Sequence, residues 1–161
     1  MKEKTKRERP SWDEYFIGIL LQTTKRSSCL KRQVGAIIVS SDREILTTGY
    51  NGAPRGIESC FEKNNCWRRQ ENIGHGKEKD LCMASHAEAN AVYQAARKGI
   101  SLLNSSIYVT TYPCPTCAKA IIQTGIKEII YLEDYYGKQY DFSQKLLKKA
   151  NIKIRKLKPK K

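Results

Sequence analysis

The chain has 161 residues, 30 of them Lys or Arg against 16 Asp or Glu, for a formal net charge of +14 with 40% hydrophobic residues. That length suits one domain with a real core, so residues 1–161 read as a single unit with basic, flexible tails at 1–9 and 158–161. The longest apolar run, Tyr15 to Leu21, is far below the roughly 18 residues a membrane helix needs, and no N-terminal segment pairs an apolar core with a cleavage site. A membrane partner is therefore not expected. Cysteine usage fits thiol or metal roles in a reducing cytoplasm better than a disulfide framework.

The positive excess suits an anionic partner such as a nucleotide or nucleic acid, but much of it sits in Lys2, Lys4, Lys6, Arg7 and Arg9 and in the stretch Lys153 to Lys161. Ser11 and Glu14 form a capping box, so a helix follows, with Trp12, Tyr15, Phe16, Ile19 and Leu20 as its apolar stripe. Val34–Val39 and Ile45–Tyr50 read as two strands joined by a hairpin turn. The pattern breaks at Gly49–Gly56, with three glycines and a proline, and from there to Ala84 no period is visible. The segment holds Cys60, Cys66, His75 and Cys82, and a functional lid or a metal clip explains its length better than disorder.

His86 opens an alanine-rich helix that ends at Lys98 with Gly99 behind it. Ser106–Thr111 is a strand, Pro113 starts a helix over Cys114–Thr124, and Gly125 stops it. A strand at Glu128–Leu132, a helix from about Phe142 to Ala150 and a strand at Ile152–Leu157 complete the pattern. A hairpin followed by alternating helix and strand predicts an α/β fold: a three-layer α/β/α sandwich on a five-stranded mixed sheet.

The chemistry lies in two separated motifs, His86-Ala87-Glu88 and Pro113-Cys114-Pro115-Thr116-Cys117. One imidazole and two thiolates supply three zinc ligands and leave a fourth position open, as in a catalytic site. Cys114 and Cys117 share a helix face, and helix N-termini favour thiolates. His86 and Glu88 are about 200° apart on a regular helix, which sets Glu88 beside the metal as a proton carrier and not on it. His-x-Glu followed by Pro-Cys-x-x-Cys is the signature of zinc-dependent nucleobase deaminases. The bland alternative is a helical histidine beside a structural knuckle or redox pair. Cys29, Cys60, Cys66 and Cys82 could hold a second, structural zinc, with His75 able to replace one of them. The alternative there is four buried thiols acting as small hydrophobes.

With Arg9-Pro10-Ser11-Trp12-Asp13, Lys25-Arg26-Ser27-Ser28-Cys29, Gln33-Val34-Gly35-Ala36, Gly49-Tyr50-Asn51-Gly52-Ala53-Pro54, His86-Ala87-Glu88 and Tyr112 to Ala118 running on to Gly125-Ile126-Lys127, nearly the whole chain resembles the deoxycytidylate (dCMP) deaminases of the cytidine deaminase superfamily. The Gly-Tyr-Asn-Gly-x-Pro stretch and the Lys-Arg-Ser before the first strand narrow the resemblance to that branch. It implies a hydrolase that converts dCMP to dUMP and ammonia and supplies dUMP for thymidylate synthesis. Zn2+ would be held by His86, Cys114 and Cys117, with Glu88 protonating N3 and then the leaving amine.

The resemblance further implies substrate contacts from Asn51, Arg26 and Tyr135, with Arg155 as an additional phosphate candidate. It brings a second zinc in some members, with Cys29 and Cys60 at matching positions. It also brings dCTP and dTTP as effectors with Mg2+, and a homo-oligomer, hexamer or dimer. For Arg26 a helix-terminal cation, and for Tyr135 a packed surface ring, are the structural alternatives. Two rival functions remain in view. A tRNA adenosine deaminase shares the zinc motif, although the terminal location of the charge and the Asn51 loop disfavour nucleic acid. A non-enzymatic, zinc-stabilised binding module would leave Glu88 dispensable.

Overall fold

The computed structural model describes residues 8–74 and 81–158. Ten elements follow in order: α1 (Trp12–Thr24), β1 (Gly35–Val39), β2 (Ile45–Tyr50), α2 (Trp67–Gln70), α3 (Ala87–Lys98), β3 (Ser106–Thr111), α4 (Pro115–Gln123), β4 (Glu128–Glu133), α5 (Lys138–Lys149) and β5 (Lys153–Lys156). The outer parts of both expected tails and His75 lie outside the described residues. No helix among the described residues is long and apolar enough to cross a membrane.

The five strands form one mixed sheet in the order β2-β1-β3-β4-β5. β1 is antiparallel to both β2 and β3, whereas β3, β4 and β5 run parallel. β1 is buried at every position because helices cover both faces, which is why its sequence is a continuous branched run and not an alternating one. Ile37, Tyr108 and Ile130 face α1, where they meet Phe16 and Leu20. Ala36, Ile38, Ile107, Val109 and Ile129 face the other way and pack with Ala87 and Ala91 of α3, Ala118 and Ile121 of α4 and Leu147 of α5. Each fully buried isoleucine here contributes about 1.5–3 kcal/mol of burial. The expected three-layer sandwich is the observed one.

Local signals act as expected at several ends. The Ser11 amide donates to Glu14 Oε2 at 2.8 Å and the Glu14 amide to Ser11 Oγ at 3.3 Å. Gly99 ends α3 at φ 65. Four boundaries or faces differ. The buried stripe of α1 is Phe16, Ile17 and Leu20, while Tyr15 stays exposed beside the ring of Phe16. Pro115, not Pro113, occupies the first turn of α4, and Cys114 is its extended N-cap. α5 starts at Lys138 behind Gly137 at φ 91, one turn earlier than the apolar pattern indicated. The short helix α2 sits inside the segment where no period was visible.

Candidate metal centre and adjoining cleft

β1 leads away from the sheet end at which β2, β3 and β4 finish, so the loops after these strands and the segment before β1 share one rim. In open α/β sheets this rim, at the carboxyl ends of parallel strands, is where ligands bind. Three residues, Tyr112 to Cys114, separate β3 from α4. α3 is drawn to the same rim because Gly52 and Ser85 form an antiparallel bridge, with N to O distances of 3.2 and 2.9 Å.

His86 and Cys114 are both N-caps in extended conformation. The break between cap and helix sends the imidazole and the thiol toward each other. His86 Nδ1 lies 3.3 Å from Cys114 Sγ and 3.4 Å from Cys117 Sγ. A tetrahedral zinc with ordinary Zn–S and Zn–N lengths places such atoms roughly 3.5 Å apart, so the trio fits that ion. Their ligand atoms all fall within 4.8 Å of one another, the one such group among the described residues. Cys117 is buried, Cys114 half-buried and His86 exposed, which leaves the approach on the solvent side open.

Glu88 stands in the first turn of α3, 5% exposed, with its carboxyl in hydrogen-bond contact with the Cys117 thiol. Because His86 is in the cap and not the helix, the 200° separation of a regular helix does not apply. The carboxylate reaches the edge of the cluster through the change of backbone direction at the cap. Burial pushes the Glu88 carboxyl above its usual range. The Cys114 thiol is held well below its ordinary range, first by the Cys117 thiol donating to it and also by His86, against the opposing effect of burial. The Cys117 thiol is pushed up by that same hydrogen bond and by burial.

Asn51, 9% exposed, follows the last residue of β2 at the same rim. Its Oδ1 accepts from the Val34 amide at 2.8 Å and from Ser27 Oγ at 2.6 Å, and its Nδ2 donates to the Arg32 carbonyl at 2.8 Å. Much of the side chain therefore ties down the 26–34 loop, and one Nδ2 hydrogen is left for a ligand. Arg26 is exposed just past the end of α1. The Tyr135 hydroxyl donates to Gln139 Oε1 at 3.1 Å while its ring rests against the core on the α3 side.

Arg155, expected as a further phosphate contact, is held elsewhere. It lies beside Ile130 in register, on the α1 face and opposite the metal cluster. Its guanidinium binds Asp13 at 2.8 and 3.1 Å and Glu128 at 2.7 Å, which commits it away from the cleft. The sequence reading overlooked Arg32 and Thr111, whose side chains meet at 3.2 Å across a separation of 79 residues. Only a basic dipeptide ahead of a buried strand marks Arg32 in the sequence.

Cys29, Cys60, Cys66 and Cys82 line one enclosed cavity of about 60 Å³, together with Trp67 and Met83. Four soft donors suit a structural zinc chemically. Their sulfurs are not gathered as closely as the atoms of His86, Cys114 and Cys117.

Residues 10–133 match the family model described as the cytidine and deoxycytidylate deaminase zinc-binding region. Deoxycytidylate deaminases of Schizosaccharomyces pombe and Saccharomyces cerevisiae are 42% and 41% identical to the chain over 92% and 91% of its length. The chain spans 45% of each of those relatives, about half of their length. A crystal structure of dCMP deaminase from the cyanophage S-TIM5, in complex with dCMP and dUMP, superposes with a TM-score of 0.72 at 26% identity, covering 94% of this chain and all of that one.

Proposed function

The chain belongs to the cytidine and deoxycytidylate deaminase family, and from that premise we propose that it deaminates dCMP hydrolytically, giving dUMP and ammonia. The observation that carries this reading is the trio His86, Cys114 and Cys117 with a buried carboxylate, Glu88, at its edge. His86, Cys114 and Cys117 would hold the zinc. When bound, that ion acts as a Lewis acid and brings the pKa of a coordinated water to about 7.

Glu88 is the proton carrier. Replacing the 4-amino group by oxygen consumes one water: the oxygen ends on C4, one proton on N3 and the other on the departing amine, which leaves as ammonia. A single carboxyl can take and return both protons if its neutral form is accessible near pH 7, and burial raises the Glu88 pKa in that direction. The walls of its pocket keep bulk water from competing for those protons.

On the substrate side, Asn51 organises the rim and has one donor free, Arg26 offers a cation and Tyr135 a ring. A second zinc among Cys29, Cys60, Cys66 and Cys82 belongs to the same reading, supported by their shared cavity. So do a cytoplasmic homo-oligomer, for which exposed Phe61, Tyr93 and Tyr136 supply apolar surface, and dCTP and dTTP with Mg2+ as effectors. Size-exclusion chromatography with and without each nucleotide tests that part. The main test is ultraviolet assay of zinc-loaded protein against dCMP, dCTP, deoxycytidine and a tRNA anticodon stem. dCMP should turn over fastest, and folded, zinc-loaded protein that releases no ammonia from dCMP removes the reading.

A further inference from the structure

We propose that the free edge of β5, with the groove beside it under α5, is a docking surface for an extended acidic segment of a partner protein, which adds to the sheet as a further strand. β5 ends the strand order and has β4 on one side. The Lys153 amide donates to the Lys127 carbonyl and the Leu157 amide to the Tyr131 carbonyl, both at 2.9 Å, so Lys153, Arg155 and Leu157 turn their backbone groups toward β4. By alternation the N–H and C=O of Ile154 and Lys156 point outward, and no strand among the described residues pairs with them.

Beside this edge lies an open groove of about 700 Å³, with Lys145 and Lys148 of α5, Asn151 in the turn and Lys153 of β5 on its rim and Ile152 and Ile154 as its apolar part. None of its lining residues is acidic. Lys145 and Lys148 are exposed and form no ion pair with a carboxylate among the described residues, whereas Lys153 reaches Glu128 and Lys156 reaches Asp134. Lys148 stands in the last turn of α5, where the helix dipole alone would favour a cation, but Lys145 stands a turn earlier. Charge decides the occupant. A second copy of β5 would set Lys153, Arg155 and Lys156 against the same cations, and like charges directly opposite destabilise a strand pair. The chain's own ends suit the groove no better, since residues 1–7 carry four cations and one acid and residues 159–161 two lysines. A nucleic-acid backbone could meet the lysines, but its phosphodiesters have no donors for the outward carbonyls of Ile154 and Lys156. An acidic strand supplies carboxylates for Lys145, Lys148 and Lys153, main-chain partners for both outward residues and an apolar side chain beside Ile154.

The probe is a fluorescein-labelled peptide of about eight residues that alternates glutamate and valine, because main-chain bonds and charge recognise a strand without needing one particular sequence. Fluorescence anisotropy gives its Kd for zinc-loaded wild-type protein, for the double variant Lys145→Glu with Lys148→Glu, and for Ile154→Pro, each checked by Tm. A single-stranded oligonucleotide of the same net charge is the comparison. The wild type should bind the peptide with a Kd below about 100 µM that rises with salt, and bind the oligonucleotide at least about 10-fold more weakly. The charge-reversed variant should raise the peptide Kd at least about 10-fold. Ile154→Pro should do the same, since proline removes an outward N–H that the sheet itself does not use. Amide exchange at Ile154 and Lys156 of the wild type should slow when the peptide is added, a readout that stands even if the proline variant folds poorly. Lack of peptide binding at about 100 µM, or exchange at those two amides that the peptide leaves unchanged, overturns the proposal. So does a peptide Kd unmoved by the charge reversal. An oligonucleotide that binds as tightly as the peptide also overturns it and makes the groove a surface for nucleic acid.

Discussion

Glu88 is a buried carboxylate, and among the described residues no Lys or Arg pairs with it as Arg155 pairs with Asp13 and Glu128. Glu88→Gln keeps the volume and the position in the first turn of α3, leaves His86, Cys114 and Cys117 in place, and removes the titrating oxygen. The zinc content and Tm of the variant should match the wild type while kcat falls by about 10²- to 10⁴-fold, the usual contribution of a general acid-base group. Near-normal turnover in folded, metal-loaded Glu88→Gln protein would count against the mechanism and for a binding module. Gly49 is a second single-residue test. A Cβ there would stand 2.2 Å from the Ala87 carbonyl oxygen and 2.5 Å from the Ala91 amide nitrogen, both backbone atoms of α3 that cannot swing aside. Gly49→Ala must push α3 off β2, at a cost of about 1–3 kcal/mol for overpacking. Because Ala87 lies between His86 and Glu88, kcat/KM for dCMP should drop along with Tm, and a variant with both values unchanged would show that α3 need not touch β2 so closely.

The elements divide by whether their signals are local. The capping box of α1, the left-handed Gly99 behind α3 and the branched run of β1 depend on neighbours a few residues away, and all three were legible in the sequence. The grouping of His86, Cys114 and Cys117 was legible because it is carried by two short motifs. The structural work of Asn51, the partnership of Arg32 with Thr111 and the orientation of Arg155 depend on contacts far apart in the chain, which no short window contains. Arg155 shows what such contacts achieve. It joins β5 to α1 through Asp13, whose Oδ1 also accepts from the Tyr108 hydroxyl at 2.8 Å. The hydrogen bond from Arg155 holds the Asp13 carboxyl below its ordinary 3.8 although partial burial opposes this, and Glu128 is lowered by Arg155 and Lys153 despite its burial. A carboxylate with a depressed folded pKa contributes stability that is present above its unfolded pKa and is lost as pH falls through the folded value. The α1 to β5 tie should therefore hold at neutral pH and weaken from about pH 4 downward. Asp13→Asn should lower Tm at pH 7 by an amount corresponding to about 1 kcal/mol, because the pair is one-third exposed, and should flatten the acid side of the stability curve. An acid limb as steep in Asp13→Asn as in the wild type would place the titrating group elsewhere.

At the scale of the whole molecule, the segment from Gly52 to Ser85 is a long excursion closed at its base by the two-way bridge between those residues. What fastens the described part of the excursion is a few backbone bonds, such as the Phe61 amide to the Ser28 carbonyl at 3.1 Å, and the cavity lined by Cys29, Cys60, Cys66 and Cys82. Ser28 in turn donates its amide to the Asn51 carbonyl at 3.2 Å, so this cavity adjoins the loop that presents Arg26 and Arg32. A structural zinc would draw the four sulfurs together and supply folding free energy where the segment has little apolar core, with Cys66 at 8% exposure as its most buried ligand. Its loss should loosen that loop and leave the grouping of His86, Cys114 and Cys117 intact. Reduced wild-type protein is therefore expected to carry about two zinc per chain, and Cys60→Ser about one. Cys60→Ser should also show a lower Tm, faster proteolysis within residues 54–74, and a raised KM for dCMP with kcat kept within a few-fold. A kcat that collapses together with KM would mean that the cavity supports the catalytic helix directly, through the bridge to Ser85. One zinc per chain in fully active, reduced wild-type protein would rule out the clip and leave the four cysteines as small apolar side chains filling a gap.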